Sequence, residues 1–421
     1  MGERAGAAMR REAHRTDSEP ASPLRLSIAV AGCGPAGLAA ALMLRRAGHD
    51  VVLFERFEAP RPVGSGLMLQ PTGLAVLRRL DLADRIVAHG ARIDRLSGRT
   101  AGSGRVVLDV RYAALGRVDH FGLGVHRADL FALLHDAARA AGVPVRTGRT
   151  IASSRLAGAQ RVLLMADGTE SEPFDLVVDA LGSRSALAPP TGRALAYGAL
   201  WATLDWVEDA GFDWTMLQQR YRRASMMAGV LPVGTSGGAT RRLAFFWSLR
   251  ADRLTDWQAA GLGVWKREVM ALWPDCRPLL DQIEAPDQLV FARYAHRTLP
   301  RPAEPALIHI GDAWHSASPQ LGQGANMALL DAWALALALA ARPERDAALA
   351  HAVALRRRHV RLYQWLTALF TPVYQSDGRL LPLLRDRIVG PVSKLWPATR
   401  IQAALVSGLV GGPLRALSLD D

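Results

Sequence analysis

Six residues near the start of the chain carry the first chemical signal. They are Gly32-Cys-Gly34-Pro-Ala-Gly37, spaced G-x-G-x-x-G, and Glu55 follows 23 residues after Gly32. The first glycine lets the chain turn tightly out of a strand, and the second lets a pyrophosphate approach the backbone. The third lets a helix pack on that strand. A helix starting at Pro35-Ala36-Gly37 would offer its free N–H groups, from Ala36 onward, and its positive end to phosphates. Glu55 stands where an acid binds adenosine ribose hydroxyls, with Arg56 beside it. The chemistry is dinucleotide binding; these residues alone do not separate FAD from NAD(P).

The elements that must position these groups are legible around them. Leu26–Ala31 is an apolar run of strand length, a helical pattern spans Leu38–Ala47 up to Gly48, and Val51–Phe54 is a second apolar strand. Strand, glycine turn, helix and strand together predict a parallel sheet with helices packed on it. Phe174–Asp179 and Ala306–Ile310 are further buried strand candidates. Between them, about Ala194 to Tyr294, aromatic alternating segments predict antiparallel strands with a helical insert near Val264–Leu272. From Asn326 onward the pattern is helical: Met327–Ala341, then Ala347 to about Phe370, ending before Pro372. The expected class is α/β, a Rossmann-like parallel-sheet domain with an antiparallel-sheet domain and C-terminal helices. The expected division is a disordered tail over 1–24, a dinucleotide-binding part over 25–193, and an antiparallel part over 194–295. The first part resumes over 296–342, and 343–421 is helical. Strands near 90–120 are expected to join the antiparallel sheet.

A second segment is more specific. Gly311-Asp312, His315, Pro319-Gln-Leu-Gly322-Gln323-Gly324-Ala325-Asn326 and Asp331-Ala closely resemble the second FAD signature of group A flavoprotein monooxygenases, the para-hydroxybenzoate hydroxylase-like family. The resemblance runs from Leu26 to about Ala341. It implies FAD as cofactor, with Asp312 on a ribityl hydroxyl and the loop Pro319–Asn326 beside the flavin ring. It also implies Arg127, in Arg127-Ala-Asp-Leu130, near the flavin phosphates or ribityl chain. Physically, Pro319 fixes the backbone and Gly322 and Gly324 let main-chain N–H groups approach a flat ligand. A helix beginning near Asn326 points its positive end there and favours a reduced, anionic flavin. His315 is given no role. The resemblance further implies a cycle in which NADPH or NADH reduces FAD, O2 adds at flavin C4a, and the hydroperoxide delivers one oxygen to the substrate.

One motif departs from the family. Where G-A-D-G-x-x-S is usual, the chain reads Asp179-Ala-Leu181-Gly182-Ser-Arg-Ser185. Leu181 replaces the expected aspartate, and Asp179, two residues away, is the candidate to take over part of its work. No second glycine-rich phosphate loop marks a dedicated NAD(P)H domain. The halogenase pattern W-x-W-x-I-P is not reproduced, and Cys33 and Cys276 form no dithiol motif.

Composition narrows the rest. Lys+Arg exceed Asp+Glu by 12 over 421 residues, but Lys266 and Lys394 are the only lysines. The scattered arginines and the abundant alanine look like codon bias, and no nucleic-acid motif accompanies them. Two cysteines suggest a reducing, cytoplasmic setting. The C-terminal uncharged stretch Ile401–Leu414 is too short to span a bilayer. No metal cluster is expected, and no catalytic base can be named. The substrate end is sought among Trp201, Met226, Met227, Phe245, Phe246 and Trp247, with Met227 and Trp247 as candidate contacts. Gln70 is a third, in a segment that the resemblance places near flavin and substrate. Leu380–Leu417 mixes arginines with apolar runs and reads as a helical cap or as a peripheral membrane contact. The expected function is O2- and NAD(P)H-dependent hydroxylation or epoxidation of an aromatic or hydrophobic small molecule. The alternatives are a flavin-dependent reductase of an isoprenoid-like substrate and a non-catalytic binding protein.

Overall fold

A computed structural model describes residues 25–59, 65–235, 237–389, 392 and 395–420. The expected disordered tail over 1–24 lies outside the described residues. The apolar run at the start forms strand Ser27–Ala31, pairing in parallel with Leu176–Asp179 on one side and Asp50–Phe54 on the other. The sheet has six strands, ordered Ala303–Glu304, Leu307–His309, Leu176–Asp179, Ser27–Ala31, Asp50–Phe54, Val145–Arg146. Only its first pair is antiparallel.

Helix α1 (Pro35–Arg46) leaves the first strand through Gly32, whose φ of +105° suits glycine. Pro35 opens the helix, where a missing N–H costs nothing. Helix α2 (Pro71–Arg79) also starts on a proline, and α3 (Arg127–Ala140) is capped by His126, whose Nδ1 accepts from the Ala128 N–H. Together with the apolar helix Gly324–Ala341 they cover one face of the sheet. The hairpin of Ile151–Ala157 and Gln160–Met165 covers the other, packing Ile151, Leu163 and Met165 against Ala29, Ala31 and Val177.

The second sheet has eight strands, ordered His315–Ser316, Val290–Thr298, Arg193–Asp205, Arg242–Arg250, Met226–Gly234, Met216–Arg222, Arg95–Thr100, Val106–Arg111. One pairing in it is parallel, Met216–Arg222 with Arg95–Thr100. Helix α4 (Leu254–Leu272) lies on one face, burying Trp265 and Val269 against Phe245 and Trp247. It is longer than the predicted insert because Gly261, at φ 78° and ψ 164°, joins two helical pieces across a kink.

Helix α5 (Gly324–Ala341) is apolar all round and central, between α1, α2 and helix α6 (Arg345–Tyr374). By length and composition it could cross a membrane, but 61% of it is buried inside the fold. A helix apolar on every face is what a fully surrounded position requires. Helix α6 runs past Pro372, against expectation. The proline falls in the last turn, so it removes one N–H donor with only two helical residues left to follow it, and the Thr371 hydroxyl donates to the Thr367 carbonyl at 2.6 Å. Short helices α7 (Leu380–Leu384) and α8 (Ala398–Val406) follow, and α8 packs on Val106–Arg111 and the turn Tyr112–Leu115.

Candidate functional site

The glycine turn is tightly packed at two of its glycines and open at the third. A Cβ on Gly32 would sit 2.7 Å from the Ala180 carbonyl oxygen, and one on Gly37 would sit 1.9 Å from the Gly32 oxygen. A Cβ on Gly34 would meet nothing within 4 Å, so that face of the turn is open. Helix α1 has no side-chain cap and no acid in its first turn, so no side chain of the fold satisfies its first N–H groups. Glu55 is braced at the strand end, its carboxylate accepting from the N–H groups of Cys33 and Phe57, both at 3.1 Å. Burial, helped by Glu55, pushes the Cys33 thiol up to about 12, so it stays protonated and inert in the turn. Arg56 is exposed, its guanidinium 4.6 Å from the Phe57 ring centroid.

A cavity of about 600 Å³ opens beside the second signature. Arg127, Asp312, His315 and Pro319–Ala325 line one side of it. Helix α5 begins there with no side-chain cap and no acid in its first turn, and a Cβ on Gly324 would meet nothing within 4 Å. Two uncapped helix starts, each beside an open glycine, fit an extended anionic group with a flat ring. FAD has that chemistry.

Asp312 opens onto the cavity. The surrounding protein pushes its carboxyl above the usual range, a rise that the charges of His315 and Arg127 oppose and that of Asp331 reinforces. Beneath it lies a network that the sequence reading missed. Asp331 accepts from the Gly311 N–H at 2.9 Å, from His315 Nε2 at 2.6 Å and from Arg356 Nε at 2.8 Å. Burial pushes the Asp331 carboxyl up, but the charges and hydrogen bonds of His315 and Arg356 outweigh it and hold the carboxyl at about 2. Arg356 donates onward to His359 Nδ1 at 3.0 Å, and His359 Nε2 donates to the Gly408 carbonyl at 2.9 Å. Burial, then Arg356, lowers the His359 pKa to about 3, which keeps that ring neutral. This chain ties the loop carrying Asp312 to the C-terminal segment.

Asn326 is buried and its side chain works inside the fold. Its Oδ1 accepts from the Gln70 N–H at 2.8 Å, while Nδ2 donates to Met68 O at 3.2 Å and Gly322 O at 3.0 Å. The clamp leaves only the Asn326 backbone for a ligand. Gln323 is similarly committed, donating to the Val406 carbonyl at 2.5 Å, although it still lines the cavity. Gln70 is fully buried behind the Gly322 turn, accepting from the Tyr112 hydroxyl at 2.6 Å, and does not line the cavity.

The other side of the cavity is the face of the eight-stranded sheet opposite α4, closed by α6 and α8. Of the two candidate contacts there, Met227 lines it and Trp247 does not. Successive strand residues point to opposite faces, so Phe246 reaches the cavity while Trp247 is buried with Trp265 under α4. Asp179 does not reach it either. It is buried and accepts from the Leu181 N–H at 3.0 Å, Ser185 Oγ at 2.6 Å and His309 Nδ1 at 2.6 Å. With those donors engaged it braces its own loop.

Comparison with known proteins agrees with this geometry. A family model described as an FAD binding domain matches residues 25–362. The chain is 30% identical over 348 residues to 3-amino-4-hydroxybenzoate 2-monooxygenase of Streptomyces cremeus, covering 76% of this chain and 79% of that protein. It is 24% identical over 407 residues to FAD-dependent urate hydroxylase of Mycolicibacterium vanbaalenii, covering 92% and 98%. The structure of Klebsiella pneumoniae HpxO complexed with FAD and uric acid superposes with a TM-score of 0.77 at 20% identity, over 92% of this chain and 98% of that one. The chain belongs to the FAD-binding, para-hydroxybenzoate hydroxylase-like family of group A flavoprotein monooxygenases and is an FAD-dependent oxidoreductase.

Proposed function

We propose that the protein inserts one atom of O2 into an aromatic or hydrophobic small molecule, by hydroxylation or epoxidation, with NADPH or NADH as reductant. One observation carries this reading: a single cavity joins the flavin loop to an apolar sheet face. Bound FAD would supply the redox and oxygen chemistry. In this reading Gly32, Gly34 and Gly37 with α1 take the pyrophosphate, and Glu55 takes the ribose. Asp312 and Arg127 take the ribityl–phosphate portion, and the backbone of Pro319–Asn326 takes the ring edge. Met227 and Phe246 hold the substrate against the ring, and α8 excludes water through Leu405 and Val406. The reaction is assigned to the cytoplasm, where NAD(P)H is available and two buried free cysteines stay reduced.

A membrane contact is part of the proposal. Leu380, Leu383, Leu384, Leu395, Trp396 and Ile401 are exposed beside Arg379, Arg387 and Arg400. That pairing suits an anionic bilayer surface. Sedimentation with phosphatidylglycerol vesicles, and its absence with phosphatidylcholine vesicles, tests it.

The central test is an anaerobic titration with NADPH and NADH, followed by air and a candidate substrate under oxygen-18. Bleaching of the flavin band, recovery in air and labelled product support the reading. Unlabelled, reduced product replaces it with reductase chemistry.

A further inference from the structure

The cavity floor is a row of residues set by sheet register. Trp201 pairs with Phe246, Phe246 with Gly229, Gly229 with Gln219, Gln219 with Gly98, and Gly98 with Leu108. The two rings stack at 4.6 Å with planes 29° apart, and Trp201 Nε1 donates to the Tyr294 hydroxyl at 3.0 Å. Phe246 lies across Gly229, where a Cβ would come within 2.1 Å of the ring. Gln219 is the one amide in that row. Around it the walls are Leu96, Val110, Leu217, Met227 and Leu231.

Gln219 spends its amide on almost nothing within the fold. Its Nε2 reaches only Met227 Sδ, at 3.9 Å, and its Oε1 accepts no hydrogen bond among the described residues. Thioether sulfur is a weak acceptor. A half-buried amide that faces a cavity with so little spent inside the fold has hydrogen bonds to offer a ligand. The charged lining residues among those described are Arg127 and Asp312 on the flavin side and Arg293, which is exposed. The floor therefore has no cation to compensate a buried carboxylate, whose desolvation would go unanswered.

The geometry points to Gln219 as the specificity-determining residue for an uncharged ring bearing an amide- or ketone-like group, with aromatic carboxylates rejected. The inference rests on the proposed function in taking this cavity as the substrate chamber. It goes beyond that function in fixing charge and a recognition contact. A neutral amide can give Gln219 one hydrogen bond and accept another, while the ring stacks on Phe246. A carboxylate can only accept, and it carries its charge into an apolar site.

The test uses 2-naphthamide and 2-naphthoate, near-isosteric probes differing in charge, titrated against the FAD-loaded protein by naphthalene fluorescence. The amide is expected to bind at least about tenfold tighter than the acid. Gln219→Leu should weaken the amide by about tenfold and leave naphthalene itself unchanged. Gln219→Arg should reverse the order of the pair, which a merely structural role would not do. Equal or tighter binding of the acid by the unaltered protein overturns the inference, as does full amide affinity in Gln219→Leu. The readout does not need turnover. Amide selectivity in a protein that neither consumes NAD(P)H nor incorporates oxygen refutes the monooxygenase reading and supports the recognition.

Discussion

Arg356 offers a sharp test of what holds the segment Gly311–His315. Its side chain is 1% exposed, as is that of Asp331, and the two are joined at 2.8 Å. Replacing Arg356 by Met keeps most of the bulk and removes the charge, leaving the Asp331 carboxylate buried with His315 and the Gly311 N–H as its hydrogen-bond partners. Breaking one side of a buried pair costs about 3–5 kcal/mol, against about 0–1 kcal/mol for a surface pair. The assay is urea unfolding at neutral pH, followed by the rise in flavin fluorescence on release. Arg356→Met should lose about 3–5 kcal/mol. Adding Asp331→Asn removes the orphaned charge while keeping an acceptor for Gly311, so the double variant should recover about 1–3 kcal/mol of that loss. A single-variant loss below about 1 kcal/mol, or a double variant weaker than the additive sum, would refute the reasoning.

Three further outcomes can be checked. Asp331 has an ordinary pKa of 3.8 and sits at about 2 in the fold, so it contributes stability that is present above its unfolded pKa. That contribution, roughly 2 kcal/mol, should vanish as pH falls from about 4 to 2, and acid titration of Asp331→Asn should lack this component. Gly37→Ala should abolish FAD retention and weaken the fold, because its Cβ would overlap the Gly32 oxygen. Gly34→Ala, where the Cβ meets nothing, should keep apo stability and lose only FAD affinity, read by the flavin-to-protein ratio after gel filtration. Trp247→Leu should lower the urea midpoint with 2-naphthamide binding unchanged, and Phe246→Leu should weaken that binding.

The glycine turn was legible because its constraints are local: a positive φ at Gly32, an open Cβ direction at Gly34 and a close approach at Gly37 are set within a few residues of sequence. The loop at Pro319–Asn326 was legible as a motif, but the work of each side chain was not. Asn326 reads as a flavin contact until Gln70, more than 250 residues away, is seen to donate to it. Trp247 fails for a different reason. Alternation says that Phe246 and Trp247 face opposite ways, but only the placement of α4 decides which face is core. For Arg356 a signal did exist. Leu349, Ala352, Val353, Arg356, Val360 and Tyr363 form one apolar stripe at helical spacing, all buried. An arginine inside such a stripe needs a buried acid, and Asp331 was the acid on the preceding helix.

Asp179 and Leu181 show how a motif can keep its place and change its work. The family pattern puts an aspartate at the loop position that here is Leu181, half-buried beside the apolar cluster of Ile151, Leu163 and Phe174. The carboxylate two residues earlier is fully buried and bonded to Leu181, Ser185 and His309, and so is unavailable to a ligand. Arg297 completes the brace from the other sheet, donating to the carbonyls of Ser183 at 3.0 Å and Pro189 at 2.7 Å. The loop is therefore fixed by interior hydrogen bonds, and a ligand is not needed to order it. An apolar Leu181 presents no charge to a nicotinamide nucleotide. That is why nucleotide-dependent bleaching of the flavin, rather than flavin retention, is the more discriminating half of the central test.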